Sequence, residues 1–81
     1  MDAKDKVFKI LGDLSGCTDI TEDSSLAGDL GLDSLAMVAM LIELEEALGT
    51  ELRESDMNPF DFVTVSDVVK LFEKYLGGTY E

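Results

Sequence analysis

The chain has 81 residues, 46% of them hydrophobic, a size and composition that suit one small domain with a single core. Its 18 acidic and 6 basic residues give a formal net charge of -12, so nucleic acid and anionic membrane surfaces should both be repelled. No signal peptide or membrane span is visible in the sequence, and we expect a cytoplasmic protein. Cys17 is the only cysteine and histidine is absent, which excludes an internal disulfide and the usual kind of zinc site.

The first predicted element is an amphipathic helix. Apolar residues recur every three or four positions, which is the spacing of one helix face. The pattern predicts a helix from about Ala3 to Ser15, with Gly16 as its C-terminal stop. The residues of the apolar face are Val7, Ile10, Leu11 and Leu14.

A long loop is predicted from Cys17 to Gly31, where Thr, Asp, Ser and Gly break the helical pattern. Apolar residues spaced through this stretch and just after it should pin the loop to the core. Loops of this length without structure of their own are uncommon and are usually functional. The apolar anchors are Ile20, Leu26, Leu30 and Leu32.

The second helix is predicted from Ser34 to about Leu48, and Gly49 supplies its end. Its apolar residues again follow helical spacing, and we expect Leu35 and Val38 to face the core so that Ser34 points outward. The apolar residues at this spacing are Leu35, Val38, Leu41 and Ile42, with Leu44 or Leu48 continuing the series.

A short third helix is predicted to open at Ser55 and Asp56. Pro59 restricts the residue before it and favours a turn, or a single helical turn, between Met57 and Asp61.

The last helix is predicted to begin after Thr64. Asp67 stands three positions later, as in a capping box with Asp in place of Glu or Gln. Residues 77–81 are predicted to be a flexible tail. The buried face of the helix is predicted to consist of Val65, Val68, Val69, Phe72 and Leu76.

The predicted fold is an all-α bundle formed by residues 1–81 as a single domain. Residues 61–65 are the one stretch with β character, and they are too short to build a sheet. No internal repeat or low-complexity segment is visible in the sequence.

Independent catalysis is not expected from these residues. A nucleophilic serine needs a general base within hydrogen-bond reach, and Ser34 has neither histidine nor lysine close to it in the sequence. Glu45 and Glu46 are adjacent on a helix and do not face each other. The acidic loop at 19–25 lacks the glycine and the terminal glutamate that an EF-hand requires.

Ser34 suits a different role, as a residue to which a phosphorylated group is attached. A helix N-terminus directs free backbone N–H groups and the positive end of the helix dipole outward, which favours a phosphate ester. Gly31 permits the tight approach of the loop, and Asp33 adds a charge beside the hydroxyl. The alternative is that Asp33 or Ser34 serves only as a helix cap.

The charge pattern adds a second observation around Ser34. No lysine or arginine occurs between Lys9 and Arg53, whereas acidic residues are frequent throughout this stretch. Such clustering of one sign opposes folding by self-repulsion and is suited to steering basic partners toward the serine.

Three segments together resemble the acyl carrier protein family in order and spacing over nearly the whole chain. They are the run Asp29-Leu30-Gly31-Leu32-Asp33-Ser34-Leu35, the run Leu44-Glu45-Glu46, and Thr64-Val65 at the start of the last helix. The resemblance implies a small four-helix bundle of the acyl-carrier type, with a long loop between helices 1 and 2 and a short third helix. It also implies that Ser34 carries 4'-phosphopantetheine, whose terminal thiol holds an acyl group as a thioester.

The resemblance further implies a carrier that is not itself an enzyme. Its partners would be a phosphopantetheinyl transferase and acyl-activating, condensing and acyl-transferring enzymes with basic patches, and it would act as a monomer without nucleic acid or membrane. The residues expected to dock these partners are Asp33, Leu35, Met37, Glu45 and Glu46.

The sequence also departs from the family pattern. Ala36 and Ala39 stand where carriers of fatty acid synthesis commonly have acidic residues, and Met37 and Met40 make the helix more apolar. These departures favour a specialised pathway, related to fatty acid or polyketide synthesis, with a more hydrophobic docking surface. The alternatives are a peptidyl or D-alanyl carrier, and an unmodified acidic helical adaptor in which Ser34 is only a cap.

Overall fold

The computed structural model describes residues 3–58 and 61–76. Within these ranges the chain forms three α-helices, α1 (Ala3–Ser15), α2 (Ser34–Leu48) and α3 (Val65–Leu76), and a 3-10 turn, Glu54–Asp56. The described ranges contain no β-strand, only an isolated antiparallel bridge between Ser25 and Thr64. The predicted all-α class is therefore confirmed.

The predicted four-helix bundle is not confirmed, because the described residues between α2 and α3 form no α-helix. They contain the 3-10 turn Glu54–Asp56, and Asp61 also has 3-10 conformation, its N–H donating to the Asn58 carbonyl at 3.1 Å. Ser55 and Asp56 lie inside this turn and do not open a longer helix. Met57 and Asn58 are already outside it. Pro59 and Phe60, like the predicted tail at 77–81, lie outside the described residues.

The three α-helices contact one another in all three pairings and bury a single apolar core between them. The bounds predicted for α1 are confirmed. Gly16 ends this helix with a positive φ of 75°, and its N–H donates to the carbonyl of Gly12 at 2.8 Å. Each helix contributes fully buried side chains to the core, among them Val7 and Leu11, Met40 and Leu44, and Val68 and Phe72.

The buried face predicted for α2 is wrong at three positions. Leu35, Val38 and Ile42 are 79%, 41% and 47% exposed, although their spacing was expected to mark the buried face. The helix is apolar almost all round, so spacing alone does not select the face that packs on α1 and α3. The buried face consists of Met37, Met40, Leu41 and Leu44, so the prediction is confirmed for Leu41 and Leu44.

The long loop between α1 and α2 is pinned to the core as predicted. Leu26, Leu30 and Leu32 are buried, and Ile20 packs against the core while remaining partly exposed. The loop is also bonded to the start of α3 through its backbone, because Leu26 N–H donates to the Val63 carbonyl at 2.9 Å.

The connection from α2 to α3 is held mainly by polar side chains of the helices that flank it. One carboxylate oxygen of Glu45 accepts a hydrogen bond from the Leu52 N–H at 2.9 Å. The Tyr75 hydroxyl accepts from the Arg53 N–H at 2.9 Å and donates to Asp56 at 2.7 Å. Burial is the largest cause that raises the pKa of the Tyr75 phenol above its usual value.

Half of the predicted capping box is present at the start of α3. Asp67 Oδ2 accepts hydrogen bonds from the N–H groups of Val63 at 2.9 Å and Thr64 at 3.2 Å. These bonds lower the pKa of the Asp67 carboxyl, because they stabilise its charged form. The prediction that Leu76 is buried is wrong, since its side chain is 53% exposed, and Leu71 takes a buried place instead.

Candidate functional site

Ser34 is the first residue of α2, and the residue that caps this helix is Asp33. Asp33 has extended backbone angles (φ -91°, ψ -178°), and its Oδ1 atom accepts a hydrogen bond from the Ala36 N–H at 2.8 Å. An aspartate in this position is among the most favourable N-caps. The capping function is thus performed by Asp33, and Ser34 is left without it.

The Ser34 hydroxyl is exposed and has no hydrogen-bond partner within the described residues. The N–H groups of Ser34 and Leu35 also have no acceptor in the described part of the chain, as expected for the first positions of a helix. These unbonded donors and the helix dipole make the surroundings of the hydroxyl favourable for an anionic ester.

Two hollows open on either side of Ser34. The more enclosed is a cleft of about 310 Å³ in which Ser34 and Met37 of α2 stand opposite Phe62 and Val63 of the α2–α3 connection. The other is a shallow depression, which Leu35 and Val38 line together with Asp33 and Ser34. Apolar side chains therefore lie on both sides of the hydroxyl.

The end of the long loop is shaped by a hydrogen-bonded turn. Ser25 N–H donates to Asp29 Oδ2 at 2.7 Å, and the Ser25 carbonyl accepts from the N–H groups of Asp29 and Leu30, both at 3.0 Å. Gly31 follows with a positive φ of 69°. A Cβ atom at this glycine would meet no neighbour, so the backbone conformation, and not lack of space, is what favours glycine here.

The structure separates the five predicted docking residues into three groups. Asp33, Leu35 and Glu46 are exposed and lie on the outer surface of the capped helix. Glu45 is partly buried, and its carboxylate already binds the Leu52 N–H. Met37 is only 7% exposed, so its predicted place on an exposed docking face is wrong in this structure. Its side chain packs inward because it stands on the side of α2 that faces the other helices.

Sequence reasoning missed three exposed apolar residues around Ser34. Val38 and Ile42 continue the stripe that begins at Leu35, and Val63 lies across the cleft. The stripe was visible in the sequence as helical spacing, but it was assigned to the core. No sequence signal distinguishes Val63, because its position depends on how the α2–α3 connection crosses the molecule.

The methionines of this region behave as ordinary packing residues. Met40 is completely buried, and Met57 packs against the core while remaining partly exposed. Methionine is adaptable in shape and fills irregular gaps between helices. The expectation that Met37 and Met40 make the docking surface more hydrophobic is therefore wrong, since both side chains lie within the core.

Residues 3–58 and 61–76 contain neither a metal site nor a membrane span. No group of three or more histidine, cysteine or carboxylate side chains there is arranged to hold a metal ion. No helix in these ranges has the length and apolarity needed to cross a membrane. Cys17 is a free, partly buried thiol.

A family model described as a phosphopantetheine attachment site matches residues 5–72, and the chain belongs to this family. Domains of this family are typically non-catalytic carriers, and the cofactor of the chain is covalently attached 4'-phosphopantetheine. The match spans all three α-helices apart from the first two residues of α1 and the last turn of α3.

The geometry around Ser34 is compatible with this cofactor. The group is joined through a phosphodiester, which needs an accessible hydroxyl and gains from nearby N–H donors. Ser34 offers both, because its hydroxyl is exposed, is not bonded to any other described residue, and stands at the N-terminus of α2. The neighbouring cleft and depression leave space beside the oxygen for the first atoms of the group.

Proposed function

We propose that the protein is an acyl carrier protein in which 4'-phosphopantetheine is attached to Ser34. The observation that carries this proposal is that the Ser34 hydroxyl is exposed and makes no bond to any residue the structure describes, while Asp33 caps the helix. A serine retained at this position without a structural bond is well suited to accept a prosthetic group. Its acceptance of that group requires no base within this chain, since the transferase supplies the catalysis.

The phosphopantetheine arm supplies a terminal thiol that carries acyl groups as thioesters. The contribution of the protein is to hold Ser34 at a fixed place on a small compact body, so that the attached cargo is presented at a high local concentration wherever the body docks. Asp33 keeps the first turn of α2 in place, and Leu32, buried beside it, anchors the end of the loop.

The proposed docking surface is the exposed face of α2. Leu35, Val38 and Ile42 form an apolar stripe along it, and Glu46 lies one turn beyond Ile42 on the same side. A partner would fit this surface with apolar side chains inside a rim of lysine and arginine. Such a combination gives fast and reversible association, which suits a carrier that visits several enzymes.

The test of the proposal is the mass of the protein after incubation with coenzyme A and a phosphopantetheinyl transferase. We expect one phosphopantetheine adduct on the wild-type protein and none on Ser34→Ala. Ser25→Ala is a matched control, because Ser25 also lines the cleft, and this variant should be modified. Absence of the adduct from the wild type, or its persistence in Ser34→Ala, would contradict the proposal.

The unmodified adaptor is less well supported than the carrier. It required Ser34 to be a cap, whereas the capping bond is made by Asp33. Peptidyl and D-alanyl carriers would use the same serine as an acyl carrier. Loading of the modified protein by acyl-activating enzymes, compared with loading by amino-acid-activating enzymes, would distinguish them.

Several further predictions accompany the proposal. We propose that residues 1–81 form a single domain, that the carrier is a monomer, and that it acts in the cytoplasm with the acyl-handling partners named above. A specialised pathway is favoured by Ala36 and Ala39, which leave the face of α2 with few charges near the serine.

A further inference from the structure

Val63 is an apolar residue whose side chain lies mostly outside the core. Its side chain is 62% exposed, although its backbone is firmly held on both sides. The Val63 N–H donates to Asp67 at 2.9 Å, and its carbonyl accepts from the Leu26 N–H at 2.9 Å. The side chain is therefore presented to solvent in a fixed position.

The exposed side chain of Val63 lies beside the proposed attachment site. Val63 lines the same cleft as Ser34, on the wall opposite α2. Leu35 and Val38 line the depression on the other side of the serine. Exposed apolar side chains thus stand on both sides of one hydroxyl, two from α2 and one from the distant α2–α3 connection.

We propose that Val63 is a docking contact for the phosphopantetheinyl transferase, so that this enzyme holds the carrier on both sides of Ser34 and not through α2 alone. The proposal rests on the attachment of the cofactor to Ser34. An enzyme surface that brings its reacting atoms to this hydroxyl has to cover the rims of the two hollows beside it. Val63 stands on the rim formed by the connection, and Leu35 on the rim formed by α2.

The charges near these side chains indicate which charges the partner surface carries. Asp33 lies beside Ser34, and Asp61 lies two positions before Val63; both residues are exposed. The complementary surface therefore carries apolar side chains against Val63 and Leu35, with basic groups around them. A contact formed by so few apolar side chains is small and is suited to a transient complex.

The test compares the kinetics of phosphopantetheine transfer to the wild type, Val63→Ser and Leu76→Ser. Leu76 is a matched control, because it is 53% exposed and ends α3, about 16 Å along that helix from its first residue. We expect Val63→Ser to raise the KM for the carrier roughly fivefold, which corresponds to the loss of one apolar contact, with kcat nearly unchanged. Leu76→Ser should behave as the wild type.

Val63→Ile keeps an apolar side chain and should retain the wild-type KM. Val63→Thr keeps the shape and the β-branching of valine, and it provides a second polar variant if Val63→Ser melts at a lower temperature. An unchanged KM in both polar variants, or an equal rise in Leu76→Ser, would overturn the assignment of Val63. Failure of the wild type to be modified would instead contradict the attachment at Ser34, so the two failures are distinguishable.

Discussion

At the residue scale, the site depends on a division of roles between two neighbouring side chains. Asp33 accepts a hydrogen bond from the Ala36 N–H and stabilises the first turn of α2, while the Ser34 hydroxyl makes no bond within residues 3–58 and 61–76. The first is needed for stability, and the second is available for modification. Both residue types are common at helix starts, which is why the sequence left open which of them is the cap.

This division predicts that the two alanine variants differ in stability. Asp33→Ala should lower the free energy of unfolding by about 1 kcal/mol, because an N-cap hydrogen bond is lost. Ser34→Ala should change it by less than about 0.5 kcal/mol, as for a surface residue without contacts. Urea unfolding of the two unmodified variants would measure both values, and equal losses would show that the capping role is shared.

At the scale of the helices, the sequence predicts where a helix begins and ends more reliably than which of its faces is buried. The bounds of α1 and the N-terminus of α2 follow from apolar spacing and from the glycines and the aspartate at their ends, and the structure confirms them. The face of α2 does not follow, because apolar residues occupy both its sides and only packing on α1 and α3 selects Met40 over Ile42. The buried face of α3 was likewise not fully predictable from spacing, since Leu71 and not Leu76 is buried.

The candidate site was predictable in part for the same reason. The helix start that exposes Ser34 is a local property, visible in Gly31, Asp33 and the apolar run that follows. The cleft beside it is not local, since Phe62 and Val63 reach it only through the path of the α2–α3 connection. The polar bonds that fix this path, from Glu45 and Tyr75, join positions that no sequence periodicity relates.

The start of α3 provides a prediction on pH dependence. The folded-state pKa of Asp67 is lowered from the ordinary value of 3.8 chiefly by the hydrogen bonds from Val63 and Thr64. Its contribution to stability is therefore present above the unfolded-state pKa and is lost as the pH falls through the lower pKa of the folded state. Asp67→Asn should be less stable than the wild type at neutral pH, and the difference should shrink in acid.

Urea unfolding across the acid and neutral range would measure this effect. Asp23→Asn is the matched control, because it removes an exposed carboxylate that makes no hydrogen bond within the described residues. The control should retain the acid dependence of the wild type. A constant difference between Asp67→Asn and the wild type at every pH would contradict the assignment to the Asp67 carboxylate.

At the scale of the whole molecule, the net charge of -12 acts against the compact fold. The ion pairs that the structure shows in its described part, Lys4 with Glu22 and Lys74 with Asp56, have exposed or partly exposed members, so they offset little of this repulsion. Most carboxylates of the described residues stay exposed, and this is the property that attracts basic partners.

Added salt is therefore expected to stabilise the protein by screening repulsion between its carboxylates. Raising the NaCl concentration from about 0.02 M to about 0.5 M shortens the Debye length from roughly 20 Å to roughly 4 Å, and the melting temperature should rise. Sucrose at matched osmolality is the control for solvent exclusion, which does not depend on charge. A melting temperature that is the same at both salt concentrations would argue against self-repulsion.

The backbone hydrogen bonds between the long loop and the start of α3 affect the order in which the nascent chain folds during synthesis on the ribosome. Leu26 is bonded to Val63, and Val65 and Ser66 are bonded to Ser24 and Glu22, so the loop that precedes Ser34 is fastened by residues synthesised well after it. A nascent chain that has just emerged with Ser34 lacks these partners. The surroundings of the hydroxyl are thus completed only after residues 63–66 have also been synthesised and have left the ribosome.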